Sequence, residues 1–222
     1  MPLGLIYLLC LAIAPGVAIS LYVYKKDKFD KEPKKLLLLA FVFGVISTIP
    51  AVILSVYFKK QTGLSEHTLP ILGLLSFSLM GIGLVEEISK WIFVRYFYKH
   101  KAFSEPFDGI VYSVMVSMGF ATIENVFYVL EGGISVGILR MFISVPAHAA
   151  FAVVMGNYFG MAKFLKPKPY LLLLGLIIPA IYHGLFDFFL LQKYSFLLTL
   201  GAVITFVHIV WLSKRIIKRR ER

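Results

Sequence analysis

Long apolar runs separated by short polar connections organise this chain. Seven are legible: residues 3–24, 36–58, 69–95, 109–130, 136–163, 170–191 and 194–213. A run of about 20 apolar residues crosses the ~30 Å hydrocarbon layer as a helix. The pattern therefore predicts an all-α, polytopic membrane helix bundle of about seven transmembrane helices. The fifth run is the most interrupted, by Arg140 and His148. The first has no basic residue before its apolar stretch and six lysines after it, the mark of a retained span rather than a cleaved leader. No convincing repeat, low-complexity tract or linker divides the chain, so residues 1–222 read as a single integral-membrane domain.

The polar connections add direction. Counted in alternate connections, Lys and Arg split 18 to 4, with Lys90 inside a span. The positive-inside rule then puts the N-terminus outside and the Lys214–Arg222 tail in the cytoplasm, and it supports an odd number of spans. Asp30, Lys31, Glu32 and Pro33 ahead of the second span read as a helix start, as do Phe107, Asp108 and Gly109 ahead of the fourth, with Asp108 expected as a cap. Composition agrees: 59% of residues are hydrophobic and 16% charged, and mean hydropathy is +0.83. A soluble core of this size cannot bury so much apolar surface. The single cysteine, Cys10, cannot form an internal disulfide. The net charge of +11 sits mostly at span ends without a nucleic-acid-binding signature, so it points to anionic lipid headgroups and not to nucleic acid.

Ionisable groups deep in a span cost at least ~2.5–3.5 kcal/mol each, so each needs a partner or a task. Here they collect on four successive spans: Glu86, Glu87 and Lys90 on the third, Glu124 on the fourth, His148 on the fifth, His183 and Asp187 on the sixth. Lys90 follows Glu86 by four residues and Glu87 by three, so both carboxylates reach it on a helix. One positive charge leaves the pair net negative, which suits a carboxylate that takes a proton from water and returns it to a leaving group. Gly81 and Gly83 allow close approach by another helix or a substrate backbone. Ser113, Ser117, Phe120 and Glu124 share one helical side, and no basic residue of its own span stands near Glu124. Asp187, one turn after His183, holds that imidazole in one tautomer or raises its basicity. Pro179 and Pro146, just ahead of the two histidines, suggest irregular backbone lining a polar cavity. His208 has no acidic companion in its span and reads as structural.

Four tasks suit such a set. The first is peptide hydrolysis by activated water. Zinc hydrolysis is the second, with His148, His183, Asp187 and a Glu as ligands. The others are proton-coupled transport and a purely structural polar core. No HExxH is present, no inverted repeat pairs the halves as in many transporters, and no GxSxG supplies a serine nucleophile. The residues identify no cofactor, and a divalent metal such as zinc remains compatible with them.

Taken in order, Glu86-Glu87-x-x-Lys90, Phe120-x-x-x-Glu124 and His183-x-x-x-Asp187 resemble the PrsW family of intramembrane proteases. The surrounding Phe107–Tyr112, Gly119–Thr122, Pro146-Ala147-His148, and Asp27, Asp30, Glu32 and Pro33 support the resemblance over nearly the whole chain. It implies an endopeptidase of the bacterial cell membrane that makes the first, extracytoplasmic-side cut in a single-span anti-sigma factor under envelope stress. The family also resembles type II CAAX prenyl endopeptidases, with motifs EExxxR, FxxxH and HxxxN. This chain departs at each: Lys90 stands one residue closer in place of Arg, Glu124 in place of His, and Asp187 in place of Asn. The joint expectation is that Glu86 or Glu87 activates water and Glu124 shares or orients its proton. His183, positioned by Asp187, serves the oxyanion or leaving amine, Lys90 tunes the pair, and His148 assists or holds a metal. A proton-coupled transporter, or a prenyl-peptide endopeptidase, is the alternative.

Overall fold

The computed structural model describes residues 3–28, 30–63, 70–165 and 168–220. Its helices are α1 (Leu3–Lys26), α2 (Lys34–Thr62), α3 (Ile71–Tyr98), α4 (Pro106–Phe142), α5 (Ser144–Gly160), α6 (Tyr170–Leu191) and α7 (Phe196–Arg220). Leu69, the first residue of the third expected span, and Glu221 and Arg222 of the tail lie outside the described residues. The ends follow ordinary helix chemistry. Lysines close α1 and α2, and Gly63, at φ 65°, completes the α2 terminus with its N–H on the Lys59 carbonyl. Glu105 and Asp108 form a capping box around Pro106 at the start of α4. The Asp108 carboxylate accepts from the Ser104 and Glu105 N–H groups, which confirms its expected capping role.

Among the described residues, six helical stretches are long and apolar enough to cross a membrane. The fourth of these, Pro106–Leu165, would be about 90 Å long if straight. It instead turns twice, at Gly133 (φ 73°, ψ −161°) and at Ile143 (φ −119°, ψ −66°). Beyond the turns, α5 runs back along α4, so the described residues make seven passes, each reversing the one before. The fifth expected span, 136–163, is therefore corrected. The returning helix starts at Ser144, and residues 134–142 form a short arm between the two turns. Gly137 on this arm packs against Val129 of α4 and Leu11 of α1. Pro146 falls in the first turn of α5, where its missing N–H costs nothing. Pro179 lies within an unbroken α6. The irregular backbone expected beside these prolines is present ahead of Pro146, at the Ile143 turn, but not at Pro179; the rest lies at Gly133 and in π-helical sections at Phe77–Leu84 and Met161–Leu165.

Glycine contacts set the helix spacings. A Cβ on Gly44 or Gly119 would collide with the facing backbone of α4 or α2, and one on Gly109, Gly156 or Gly160 with that of α5 or α4. Gly83 and Gly184 bring α3 against α6 in the same way. α4 is the central rod, buried on all sides from Phe107 to Thr122. Lipid-facing α2 instead shows Leu38, Ile49, Val52, Ile53 and Val56 at its surface.

Candidate active site

The π-helical section decides where the carboxylates of α3 point. A π turn holds more residues than an α turn, so the helix that follows is rotated relative to an uninterrupted one. Gly83 lies in this section, against the Ala180 carbonyl and Gly184 N–H of α6. One turn later, Glu86 and Glu87 emerge toward α4, α5 and α6. This local departure from α geometry accompanies the convergence of side chains from four helices.

All seven residues singled out from the sequence meet here. Lys90 Nζ lies 2.7 Å from Glu87 Oε1, 3.5 Å from Glu86 Oε2 and 3.2 Å from His148 Nδ1. It also sits 4.3 Å above the Phe120 ring. His183 Nδ1 is 2.9 Å from Glu87 Oε1, while its Nε2 is 3.3 Å from Asp187 Oδ2 and 3.7 Å from Glu86 Oε2. The two imidazoles stand edge to face, 4.9 Å apart, and Phe151 stacks on His183 at 5.0 Å. His148 Nε2 lies 2.9 Å from Glu124 Oε2. The Ser117 hydroxyl donates to the His148 carbonyl, which fixes the start of α5 to α4.

The two adjacent glutamates differ. Glu87 is 1% exposed and its Oε1 is shared between Lys90 and His183, so it is an anchored counter-ion. Glu86 keeps 16% of its side chain exposed, and its Oε2 makes no hydrogen bond.

One member of the cluster was not anticipated. Arg140, on the arm, places Nη2 3.0 Å from Glu124 Oε2, gives its Nε–H to Asn125 Oδ1 at 2.9 Å and covers the Tyr128 ring at 4.1 Å. On a straight helix, 16 residues would separate Glu124 and Arg140 by about 24 Å. An arginine interrupting an apolar run was the signal for it. His208 stands apart with Tyr182, 2.9 Å from its hydroxyl, as expected of a structural residue.

Among the described residues, Glu86, His148 and His183 offer ligand atoms that all lie within 4.8 Å of one another. Two imidazoles and a carboxylate form a common zinc donor set, for which ligand atoms end roughly 3.3–3.5 Å apart around bonds of 2.0–2.1 Å. Glu86 Oε2, which makes no hydrogen bond and stands 3.5 Å from Lys90, and the Glu87 carboxylate behind His183 Nδ1, fit a divalent ion with a supporting outer carboxylate.

The chain matches the family model described as PrsW family intramembrane metalloprotease over residues 32–213. It is 39% identical over 188 residues to the protease PrsW of Geobacillus kaustophilus, covering 84% of this chain and 80% of that protein. To the protease PrsW of Bacillus subtilis it is 37% identical over 183 residues, 80% of each. For that of Clostridioides difficile the figures are 35% over 216 residues, 92% of this chain and 87% of the relative. No solved structure matches. A match of this extent, over all the helices that carry the cluster, makes the chain a member of the PrsW family, a membrane-embedded endopeptidase of the multi-pass bacterial type.

Proposed function

We propose that this protease hydrolyses its substrate at the centre formed by Glu86, Glu124 and His183, with Glu86 as the carboxylate that meets the reacting groups. The asymmetry of the glutamate pair carries this reading. Glu87 is held at 2.7 and 2.9 Å by Lys90 and His183, whereas Glu86 stands 3.5 and 3.7 Å from the same two groups and lines a cavity. Glu86 Oε2 takes a proton from the attacking water. In the metal-free centre His183, with carboxylates at both nitrogens, holds a proton on each, and its Nε2 proton faces Asp187 and Glu86. That proton serves the oxyanion or the departing amine. Asp187 and Glu87 fix the ring in place, and Lys90 holds Glu87 from the other side at 2.7 Å.

A divalent ion would be held by Glu86, His148 and His183, and would polarise the scissile carbonyl and acidify a water. Glu124, which lines the cavities on both sides, is then the carboxylate left to receive the proton.

The substrate we infer is a single-span anti-sigma factor, cut toward its extracytoplasmic side, as the family resemblance implies. Measured along the helices, Glu124, His183 and Glu86 lie about 27, 20 and 18 Å from the ends of α4, α6 and α3 that the positive-inside pattern assigns to the cytoplasm, which puts the centre at or beyond mid-membrane from that side. Co-expression with single-span anti-sigma factors tests the reading. Wild type should release a fragment that Glu86→Gln, Glu124→Gln and His183→Ala do not. Metal analysis of purified protein separates the two forms: a divalent ion whose occupancy falls in His183→Ala assigns the proton to Glu124, and metal-free active protein assigns it to Glu86. Undiminished cleavage by all three variants would overturn the assignment.

A further inference from the structure

Two cavities reach the carboxyl centre from opposite sides. One, of about 230 Å³, lies under the arm beside Arg140 and Asp187. The other, of about 260 Å³, is a slot between α2 and α4. Its walls are Ala51 and Val52 on one side and Phe127 on the other, and Glu86 and Glu124 close its inner end. The slot begins where the glycine contact ends. Gly44 and Gly119 hold α2 and α4 backbone to backbone, and beyond them larger residues face each other. Val52 and Phe127, 62% and 68% exposed, flank the mouth on the lipid-facing surface.

Backbone chemistry restricts what can occupy the slot. An intact helix keeps its carbonyl and N–H groups bonded to one another, so only an extended segment can turn a peptide group toward the carboxyls while one of its side chains enters the slot. Its chemistry restricts the occupant further. The walls are mostly apolar, with Thr48, Ser55 and Tyr128 among them, while Glu86 and Glu124 add two carboxyl groups. A lipid acyl chain would leave those carboxyls facing hydrocarbon, a costly arrangement. A peptide group offers them an N–H and a carbonyl to attack.

We propose that this slot is the subsite for one apolar side chain of a locally unwound stretch of the membrane-spanning substrate, so that the neighbouring peptide bond lies against Glu86 and Glu124. Ala51 sets its depth and Val52 its mouth. The assignment rests on hydrolysis at that centre and adds a selection rule: the substrate must unwind beside the cut and present a side chain of limited size.

The test uses the full-length protease in liposomes with a series of single-span reporter substrates. The residue beside the cut is Ala, Val, Leu or Phe, and relative kcat/KM is the readout. Ala51→Leu should lower cleavage of the Leu and Phe substrates at least tenfold against the Ala substrate, the scale on which a filled apolar pocket discriminates. Val52→Trp, at an exposed position that does not threaten folding, should shift the ratio the same way. Leu72→Trp, on the exposed surface of α3, should leave the ratio unaltered. A uniform loss across the series in both slot variants would overturn the subsite, since a lipid chain or a second copy seated there would produce that result. Unchanged ratios would overturn it too, while leaving hydrolysis at the centre intact. If wild type cut no member of the series, the hydrolytic reading and the subsite would fall together.

Discussion

Replacing Arg140 with Met removes the cation that fastens the arm across the site. Its Nη2 stands 3.0 Å from Glu124 Oε2, and both side chains are largely buried, with 11% and 20% exposed. At that distance and an effective dielectric of about 20, the direct attraction is roughly 5 kcal/mol. Desolvation of both groups offsets much of it, and His148 remains 2.9 Å from Glu124 when the arginine is gone. Truncation also strands the Asn125 carbonyl oxygen and uncovers the Tyr128 ring. The expected loss of stability is about 3 kcal/mol, at the low end for breaking a buried pair. Unfolding in detergent micelles, followed for Arg140→Met, Glu124→Gln and the double variant, isolates the pairwise part. Because each single variant leaves a partner stranded, the cycle should give a coupling of about 2 kcal/mol. Arg140→Lys should recover only part of it, since a lysine keeps the charge but not the fork that spans Glu124 and Asn125. A coupling under about 0.5 kcal/mol would refute the idea that this pair holds the arm.

Gly133→Ala should cost about 1–3 kcal/mol, because φ 73° with ψ −161° is a backbone region reserved for glycine. Gly4→Ala, where a Cβ meets nothing within 4 Å, should stay within about 0.5 kcal/mol in the same unfolding assay. Beside the start of α4, burial pushes the Glu32 carboxyl up to about 8, helped by the charges of Asp108 and Asp27 and opposed by the bond it accepts from the Tyr112 hydroxyl. Glu32 and Asp108 lie within hydrogen-bond reach and each keeps one buried oxygen without a donor, so a proton held between them satisfies both. A carboxyl raised on folding takes up a proton as the chain folds. Its stabilisation is complete below its ordinary value of 4.5 and is lost as the pH rises through 8. The melting temperature of wild type should therefore fall by about 2–4 °C for each kcal/mol lost between pH 6 and 9. Glu32→Gln, which cannot ionise, should flatten that slope, and an equal slope in both proteins would count against the shared proton.

Much of the arrangement was legible because lipid leaves few options. Apolar runs of fixed length give the passes, and lysines at alternate ends give a common side. Costly charges inside spans mark the centre, so all seven acids, imidazoles and the lysine were found from spacing alone. Three features were not legible. α3 is apolar nearly all round at Phe77–Leu84, so no periodicity was present to betray a π-helical section. Gly132 and Gly133 signal a weak point in a helix, but the return of the arm depends on Gly137 meeting Val129 and Leu11, contacts distant in sequence. Arg140 looked like a defect in a span because its partner, Glu124, lies on the other side of that turn. The rank of the two glutamates was equally hidden. Adjacent in sequence, they part only when His183 arrives from α6 to claim Glu87.

The π-helical section also bears on how the protein tolerates changes in length. Each residue of an α-helix advances it by about 100°. A π turn takes in about one residue more than an α turn, so deleting one residue between Phe77 and Leu84 would let the stretch close to ordinary α geometry and leave Glu86 and Glu87 facing much as before. The same deletion in regular helix, between Glu87 and Lys90, would turn Lys90 about 100° away from the two carboxylates. The third helix can therefore lose a residue ahead of its glutamates and keep the centre, but not after them.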